Sequence, residues 1–490
     1  MDKAGRLGPP AVAACLFPLA VAIGAAAAVV AVAMSSCGTL GDPGKEPAGW
    51  LNLPMAGVAP YVKLDIDGDP TNSTQPFILL AAGEGGREPG LPVVGEEPSV
   101  IKVGGLYRMW YESSGVVYVI ESLDGEHWRG CSSPSEPTPI VWEGPSPYDR
   151  GAWEKGRVEA PSVLYDPSDT QAPYKMWYAA AGRSGIGVAY SGDGVHWRRG
   201  GPRGDLAPVL VPCMAWEGGP AGSVGSPSVI LDDGLFRMWY DGATCEAETG
   251  SACESDPGLE VRRIGHAYSQ DGRSWFKSDA RGQSAYAWAC TEEQRSAGVG
   301  PVLTPEPIAP CTQEETEADP RCHDWALRRN WEWRQVWSPY VMRDDSSQRR
   351  IYRMYYTGGT LVLRDPGTLA TLVETYSTSV GYAGSEDGLR WVKQRIGINP
   401  VLDEPFQLDL GGFMQYYCMN LPPQGDNLFC RLGDLLSEVS IRILTNEYAP
   451  TVIKDEAEFK MWFRQNDLLN VLLSGGQGIG MAANPPRDIF

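Results

Sequence analysis

Apolar and polar residues alternate at period two in five short segments of this chain, and the segments are near copies of one another. They are residues 107–111 (YRMWY), 174–178 (YKMWY), 236–240 (FRMWY), 352–356 (YRMYY) and 459–463 (FKMWF). Side chains of a β-strand point alternately to the two faces of its sheet, so the pattern predicts one strand per copy. Copies at regular intervals predict a radial array of repeated sheets.

Each copy sits within a longer repeated unit. A Pro-x-Val segment precedes it at residues 98–100, 161–163, 227–229, 339–341 and 450–452. A third apolar segment follows it, and then, in four repeats, comes Asp-Gly-x-x-Trp at residues 124–128, 193–197, 271–275 and 387–391. Asp-Gly favours tight hairpin turns, so each unit predicts a four-stranded antiparallel meander. Five such units predict an all-β, five-bladed β-propeller of four-stranded antiparallel blades.

The fifth repeat ends without the Asp-Gly-x-x-Trp unit, so its outer strand is missing. A propeller must close to avoid an exposed sheet edge. We therefore expect an N-terminal strand, residues 61–65 (YVKLD), to complete the last blade. The alternative is a last blade of only three strands.

The N-terminus has the pattern of an export signal. Lys3 and Arg6 precede a nearly continuous apolar run at residues 11–33, and Ser35-Ser36-Cys37 follows. This arrangement resembles the lipobox of bacterial lipoproteins, which implies cleavage before Cys37 and lipidation of its thiol. The predicted domains are a signal peptide (1–36), a flexible linker (37–50) and the propeller (51–490), in the envelope of a bacterium, at the outer membrane or cell surface. An uncleaved membrane anchor is the alternative, because the run could span a bilayer.

Charge and cysteine content limit the partners further. The formal net charge of −20 repels phosphate backbones, so nucleic acid is not an expected partner. In an oxidising compartment cysteines favour disulfides, and the pairs 245–253, 311–322 and 418–430 are close in sequence. Of Cys131, Cys213 and Cys290, one is left over if all pairs are intramolecular. No Cys-x-x-Cys occurs, which argues against zinc.

The Pro-x-Val strand should be innermost, so residues just before its proline should face a shared axial pocket. These include Glu96, Glu97 and Glu159. The whole unit, Pro-Ser-Val, Tyr-Lys-Met-Trp-Tyr, Ile-Gly-x-Ala and Asp-Gly-x-x-Trp, resembles the repeats of five-bladed propeller glycoside hydrolases, the superfamily of arabinanases, levansucrases and invertases (families 43 and 32). The resemblance covers most of residues 76–490. It implies carboxylate catalysis, with Glu159 in Glu-Ala-Pro like the general acid and Glu97 like the Asp-Pro position.

The third repeat departs from that family, because it offers Gly225 and Ser226 where an acid is expected. A rotated assignment would use Glu447 as base, Glu97 as tuning carboxylate and Glu159 as acid. The alternative for each acid is a solvated loop charge. The predicted substrate-binding residues are Trp337, as a sugar-stacking ring, together with Arg157, Arg334 and Trp153; structural ion pairs and repeated aromatic packing are the alternatives.

No cofactor is predicted. Alternate carboxylates at residues 65–69 (DIDGD) are like part of a calcium loop, but the later ligands of such a loop are absent, so structural calcium has weak support. The sequence thus predicts a glycoside hydrolase-like lipoprotein that acts on a poly- or oligosaccharide and touches the membrane only through its anchor. The alternative is a non-catalytic propeller that binds glycan or protein. The sequence leaves the oligomeric state open.

Overall fold

The structure is a computed structural model in which the described residues form an almost purely β protein. It describes residues 61–63, 78–82, 88–245, 260–305, 332, 334–345, 350–361, 376–393, 402, 406–409, 440–443, 446–456, 458–466 and 478–484. The predictions for the signal peptide, Cys37, the linker and the acidic segment 65–69 lie outside these residues. Within them, no helix has both the length and the apolar character needed to cross a membrane.

The first two repeats each form four sequential antiparallel strands. Before them lie β1 (Val62–Lys63), β2 (Leu79–Ala82) and β3 (Glu88–Pro92). The first repeat is β4 (Glu96–Val103), β5 (Leu106–Ser113), β6 (Val116–Ser122) and β7 (His127–Gly130), followed by β8 (Thr138–Pro139) and β9 (Val141–Trp142). The second is β10 (Val158–Tyr165), β11 (Tyr174–Ala180), β12 (Ile186–Ser191) and β13 (His196–Gly200).

The third and fourth repeats have the same order, and the fifth has three strands of its own. The third is β14 (Ser223–Asp232), β15 (Leu235–Cys245), β16 (Glu260–Ser269) and β17 (Phe276–Ser278), followed by β18 (Ser284–Tyr286). The fourth is β19 (Gln335–Asp344), β20 (Ile351–Leu361), β21 (Tyr376–Ser385) and β22 (Val392–Lys393). After β23 (Phe406–Asp409) and β24 (Ser440–Ile443) come β25 (Asn446–Asp455), β26 (Glu458–Asn466) and β27 (Gly478–Asn484).

Helices are few among the described residues. One short α-helix, α1 (Glu292–Ser296), begins at the Thr291 cap. Single 3-10 turns lie at Ala181–Arg183, Ala215–Glu217 and Gly219–Ala221. The prediction of an all-β fold built from antiparallel sheets is therefore confirmed.

The N-terminal strand completes the last sheet, as the sequence predicted. Strand β1 pairs antiparallel with β27, with Val62 opposite Ala483. The sheet order is β1-β27-β26-β25, so a strand from the start of the chain takes the outer place that the fifth repeat lacks.

The first strands of the five repeats contact one another in a closed cycle: β4 with β10, β10 with β14, β14 with β19, β19 with β25, and β25 with β4. Hydroxyl groups link these strands, because in four of the five repeats a Ser or Thr after the proline accepts a hydrogen bond from the backbone N–H of the valine in the next Pro-x-Val segment. Four such bonds are Ser99 from Val163 (2.9 Å), Ser162 from Val229 (3.1 Å), Ser228 from Val341 (2.8 Å) and Thr451 from Val100 (3.4 Å).

Loss of one hydroxyl link should destabilise the fold measurably. Ser228→Ala leaves the buried Val341 N–H without its acceptor, and we expect a loss of about 1–3 kcal/mol in the free energy of unfolding. Ser135→Ala, at an exposed turn, is the matched control. Equal stability of the two variants in a denaturant titration would refute a structural role for the link.

Pairs of tryptophans from neighbouring repeats donate hydrogen bonds to the same glycine carbonyl. Trp110 of β5 donates its indole N–H to Gly194 O at 2.8 Å, and Trp197 of the same turn donates to that oxygen at 3.0 Å. The two rings meet edge to face. The same arrangement recurs for the pairs Trp177 with Trp275 on Gly272, Trp239 with Trp391 on Gly388, and Trp462 with Trp128 on Gly125.

The fourth repeat has Tyr355 where the others have tryptophan, and the structure explains the exception. Its neighbour is the sheet completed by β1, and no Asp-Gly-x-x-Trp turn leads into β1 to offer a glycine carbonyl. The Tyr355 hydroxyl instead lies 3.1 Å from the Tyr61 hydroxyl beside β1. The aromatic and methionine side chains of all five period-two segments are buried and form much of the core.

Cysteine pairing follows the expectation in part. Cys213 bonds to Cys290, and Cys131 is the one left over. Cys245 is in a disulfide whose partner lies outside the described residues. The pairs predicted at 311–322 and 418–430 also lie outside the described residues.

Candidate active site on the first strands

A backbone irregularity recurs at one place in every first strand and defines the candidate site. The residue before each proline has a positive φ of 42–53°, and the strand register shifts there. Left-handed backbone is costly for residues other than glycine and marks functional or tightly constrained positions. The five residues line one cavity of about 260 Å³ and are Glu97, Ala160, Ser226, Ser338 and Ala449.

Glu97 is the one ionisable side chain among these five. The Ser226 hydroxyl lies 3.5 Å from Glu97 Oε1, and the Ser338 hydroxyl donates to Ser226 at 3.3 Å. The other four residues before the prolines are alanines and serines. Glu97 is therefore the one carboxyl among the five, and the Ser226 and Ser338 hydroxyls lie beside it.

Further carboxyls come from two strand positions that face each other in register. Glu96 and Glu159 stand one residue before the bulge. Their register partners on the second strand are Glu112 and Ala179, the residues directly after the period-two segment. In the third sheet the order is reversed, because Gly225 stands opposite Asp241.

Sequence reasoning considered only the residues before each proline and so missed Asp241 and Glu112. The signal that could have found them is the residue after each period-two segment: Glu112, Ala179, Asp241, Thr357 and Arg464. Antiparallel pairing places this residue beside the one before the bulge.

Four arginines pair with these acids, and three of them reach from one sheet to the next. Arg157 Nε lies 3.2 Å from Glu159, and its Nη2 lies 3.8 Å from Glu112 of the first sheet. Arg183 pairs with Asp241 and Arg464 pairs with Glu96, each across two sheets. Arg262 pairs with Glu260 and Asp241 within the third sheet. Each of these four guanidinium groups is thus paired with at least one carboxylate.

The surroundings shift the acidity of the carboxyls. Burial raises the pKa of Glu97 to about 7, Arg183 opposes the rise, and the charges of Glu96, Glu159 and Asp241 add to it. Burial also raises the pKa of Glu159, against the lowering effect of Arg157. Glu97 is therefore part-protonated near neutral pH, the state that a proton donor needs.

The predicted aromatic and basic residues occupy different places. Trp337 stands before the fourth bulge but is only 8% exposed, with the Arg262 guanidinium 5.7 Å from its ring centroid. Trp153 stacks on Tyr178 at 6.4 Å and donates its indole N–H to Leu206 O, which favours the packing role. The Arg334 carbonyl accepts from the backbone of Arg262, next to β19.

Glu447 lies on β25, opposite Gln465. It shares its register position with Val158 and Val224, one residue before the position of Glu159. Its side chain lies outside the described residues, so its catalytic role stays a prediction.

A buried ion pair supports the sheets behind the site. Glu217 and Lys277 are fully buried, 2.6 Å apart, and Tyr240 donates its hydroxyl to Glu217 at 2.7 Å. Glu154 has equivalent partners in Tyr178 and Arg199 of the second sheet. In the part of the chain that is described, no group of three or more His, Cys, Asp or Glu side chains is placed to hold a metal ion.

Comparison with known proteins finds similarity in structure alone. No protein-family profile and no curated protein matches the sequence. Among solved structures, one titled a glycoside hydrolase is 14% identical with a TM-score of 0.46, over 84% of this chain and 91% of its own. A thermostable family-43 glycoside hydrolase is 17% identical (TM-score 0.43; 80% and 89%), and a putative glycosidase from Bacteroides thetaiotaomicron is 14% identical (0.46; 89% and 100%). At these values the function has to be argued from the residues of this chain.

Proposed function

We propose that the chain is a five-bladed β-propeller that hydrolyses glycosidic bonds of a poly- or oligosaccharide in the bacterial envelope, anchored through a lipid on Cys37. The cycle of contacts among β4, β10, β14, β19 and β25 supports the blade count. The pairing of β1 with β27 supports closure by the N-terminus. The apolar run and Cys37 carry the proposal of a lipid anchor, at an envelope location.

The observation that carries the catalytic proposal is the position of Glu97. It is the one carboxyl among the five bulge residues, and burial favours its protonated form. Glycoside hydrolysis uses two carboxyl groups whose surroundings hold one protonated and one ionised. We assign Glu97 as the proton donor and Glu159 as the carboxylate partner, since Arg157 at 3.2 Å stabilises the charged form of Glu159. This reverses the two roles expected from the sequence.

The pairing of the arginines indicates a neutral glycan as substrate. Arg157, Arg183, Arg262 and Arg464 are each paired with a carboxylate, so an anionic sugar would have to displace one of these acids. Repulsion by the remaining carboxylates would weaken its binding.

We therefore expect neutral xylan or arabinan oligosaccharides to bind at least about tenfold more tightly than oligogalacturonides of the same length, because like charges in contact cost several kcal/mol. Calorimetry at pH 7 and fixed salt measures both. Tighter binding of the galacturonide would contradict the assignment of a neutral substrate.

The proposal is tested by incubating the protein with arabinan, xylan, fructan and mannoside substrates and following released sugar. Glu97→Gln and Glu159→Gln should both lose activity, whereas Glu143→Gln, at an exposed position, should retain it. Activity that survives both site variants would overturn the proposal.

A non-catalytic glycan-binding propeller is the second candidate. The Arg157–Glu159 pair favours it, because paired charges in a cavity can hold sugar hydroxyls without performing chemistry. Binding of a glycan from the panel, with no product from the unmodified protein, would select this candidate.

A further inference from the structure

The third sheet lacks an acid on its first strand but carries one on its second. Asp241 of β15 lies opposite Gly225 of β14, at the level of the bulge. A Cβ atom on residue 225 would lie 2.6 Å from Arg183 Cζ, far inside van der Waals contact. The missing side chain therefore leaves the space through which Arg183 crosses from the second sheet to Asp241.

Arg183 is held firmly in that crossing. Its backbone has a φ of 56°, at the end of the turn Ala181–Arg183. Its Nη2 forms an ion pair with Asp241, and its Nη1 donates to the Ser226 hydroxyl at 3.4 Å. Ser226 in turn lies 3.5 Å from Glu97, so Asp241, Arg183, Ser226 and Glu97 form a continuous polar chain.

Asp241 is completely buried, and its Oδ1 has no hydrogen-bond partner among the described residues. Its other oxygen holds the charge interaction with Arg183, and Arg262 Nη1 lies 3.7 Å from that oxygen. A buried carboxylate with few partners acts strongly on nearby charges, because little water screens it. Asp241 is out of reach of a ligand and can affect the site only through its neighbours.

We propose that Asp241 is a positioning residue, which replaces the carboxyl missing at Gly225 and holds Arg183 across that glycine against the Ser226–Glu97 pair. Gly225 is then required because it leaves room for Arg183 to reach Asp241, and not because it makes the backbone flexible. The proposal goes beyond the assignment of Glu97 and Glu159. Only its consequence for catalysis rests on the proposed hydrolase function.

The charges of Arg183 and Asp241 act on the pKa of Glu97 in opposite directions, because both groups lie near its carboxyl. The positive Arg183 lowers the pKa of Glu97 and the negative Asp241 raises it, beside the larger effect of burial. Removal of Arg183 should therefore raise the titration midpoint of Glu97. Removal of Asp241 should lower the midpoint if Asp241 acts only as a charge, and should raise it if Asp241 holds Arg183 in place.

The experiment is an NMR titration of the full chain with 13C-labelled glutamate carboxyls, in which Glu97→Gln identifies the Glu97 signal. We expect Arg183→Met to raise the titration midpoint of Glu97 by about one pH unit. Asp241→Asn should raise the midpoint as well, because Arg183 would no longer be held against the Ser226–Glu97 pair. Gly225→Ala should push Arg183 aside and raise the midpoint, as Arg183→Met does. Glu143→Gln should leave it unchanged.

Upward shifts in Arg183→Met, Asp241→Asn and Gly225→Ala support the proposal. An unchanged or lowered midpoint in Asp241→Asn overturns it, because Asp241 would then act only through its own charge. If Asp241→Asn fails to fold, Gly225→Ala is the deciding variant. It retains the charges of Arg183 and Asp241 and removes only the space through which Arg183 reaches Asp241. The titration needs no substrate. A protein that shows the shifts but cleaves no glycan would uphold this inference and overturn the hydrolase proposal.

Discussion

Glu97→Gln should lower glycan cleavage by about 10²- to 10⁴-fold, the contribution typical of a positioned general acid. Glutamine keeps the shape of the side chain and its contact with Ser226, but it cannot supply the proton that a departing sugar oxygen needs. The loss should appear in kcat, with binding of the oligosaccharide nearly unchanged. Product release from each substrate, measured beside Glu143→Gln, checks the prediction.

The pH dependence of cleavage and of stability is a second test of the role of Glu97. Glu97 has a pKa of about 7, so cleavage by the unmodified protein should fall as the pH rises through 7 and the proton is lost. The folded protein binds this proton more tightly than the unfolded chain does. Stability should therefore fall between the unfolded value near 4.5 and 7, and Glu97→Gln should remove that part of the decline. A cleavage rate that rises through pH 7 would exclude Glu97 as the acid.

Lys277→Met should destabilise the protein by about 3–5 kcal/mol, because it leaves the carboxylate of Glu217 buried without its cation. Glu217 and Lys277 are both fully buried, and Tyr240 and the backbone N–H groups of Cys213 and Met214 also donate to Glu217. A thermal or denaturant melt measures the loss, with glycan binding as a check that the site itself is intact.

The double variant Lys277→Met with Glu217→Gln is the control. The introduced glutamine would keep an oxygen for the two backbone donors but would carry no charge, so the double variant should be clearly more stable than Lys277→Met alone. If the two variants melt at the same temperature, the buried charge is not the cause of the loss.

The strands could be predicted well from the sequence. The signals that indicate them, namely the alternation of apolar and polar residues, the turn residues and the tryptophan, lie close together within a repeat. It also predicted that residues 61–65 would complete the last sheet, and β1 (Val62–Lys63) does pair with β27. The reason for Tyr355 in the fourth repeat could not be predicted, because it depends on which neighbouring sheet lacks the turn that offers a glycine carbonyl.

The site was predicted only in part. Glu97 and Glu159 were found because proline marks their positions in the sequence. Asp241 was not found, because its role depends on strand register, on the empty space at Gly225, and on an arginine from another sheet. The place of Asp241 directly after a period-two segment could have marked it as a candidate, but its link to Arg183 leaves no local signal in the sequence.

The pairing of β1 with β27 fixes the order in which the fold can finish. As the chain is synthesised from its N-terminus, β1 is the first and β27 the last of the described strands to appear. The last sheet therefore cannot close until β27 has been made, and contacts of such long sequence separation form slowly. Until then the open edge of β1 is available to pair with other chains, so assembly of this protein depends on keeping that strand free until β27 arrives.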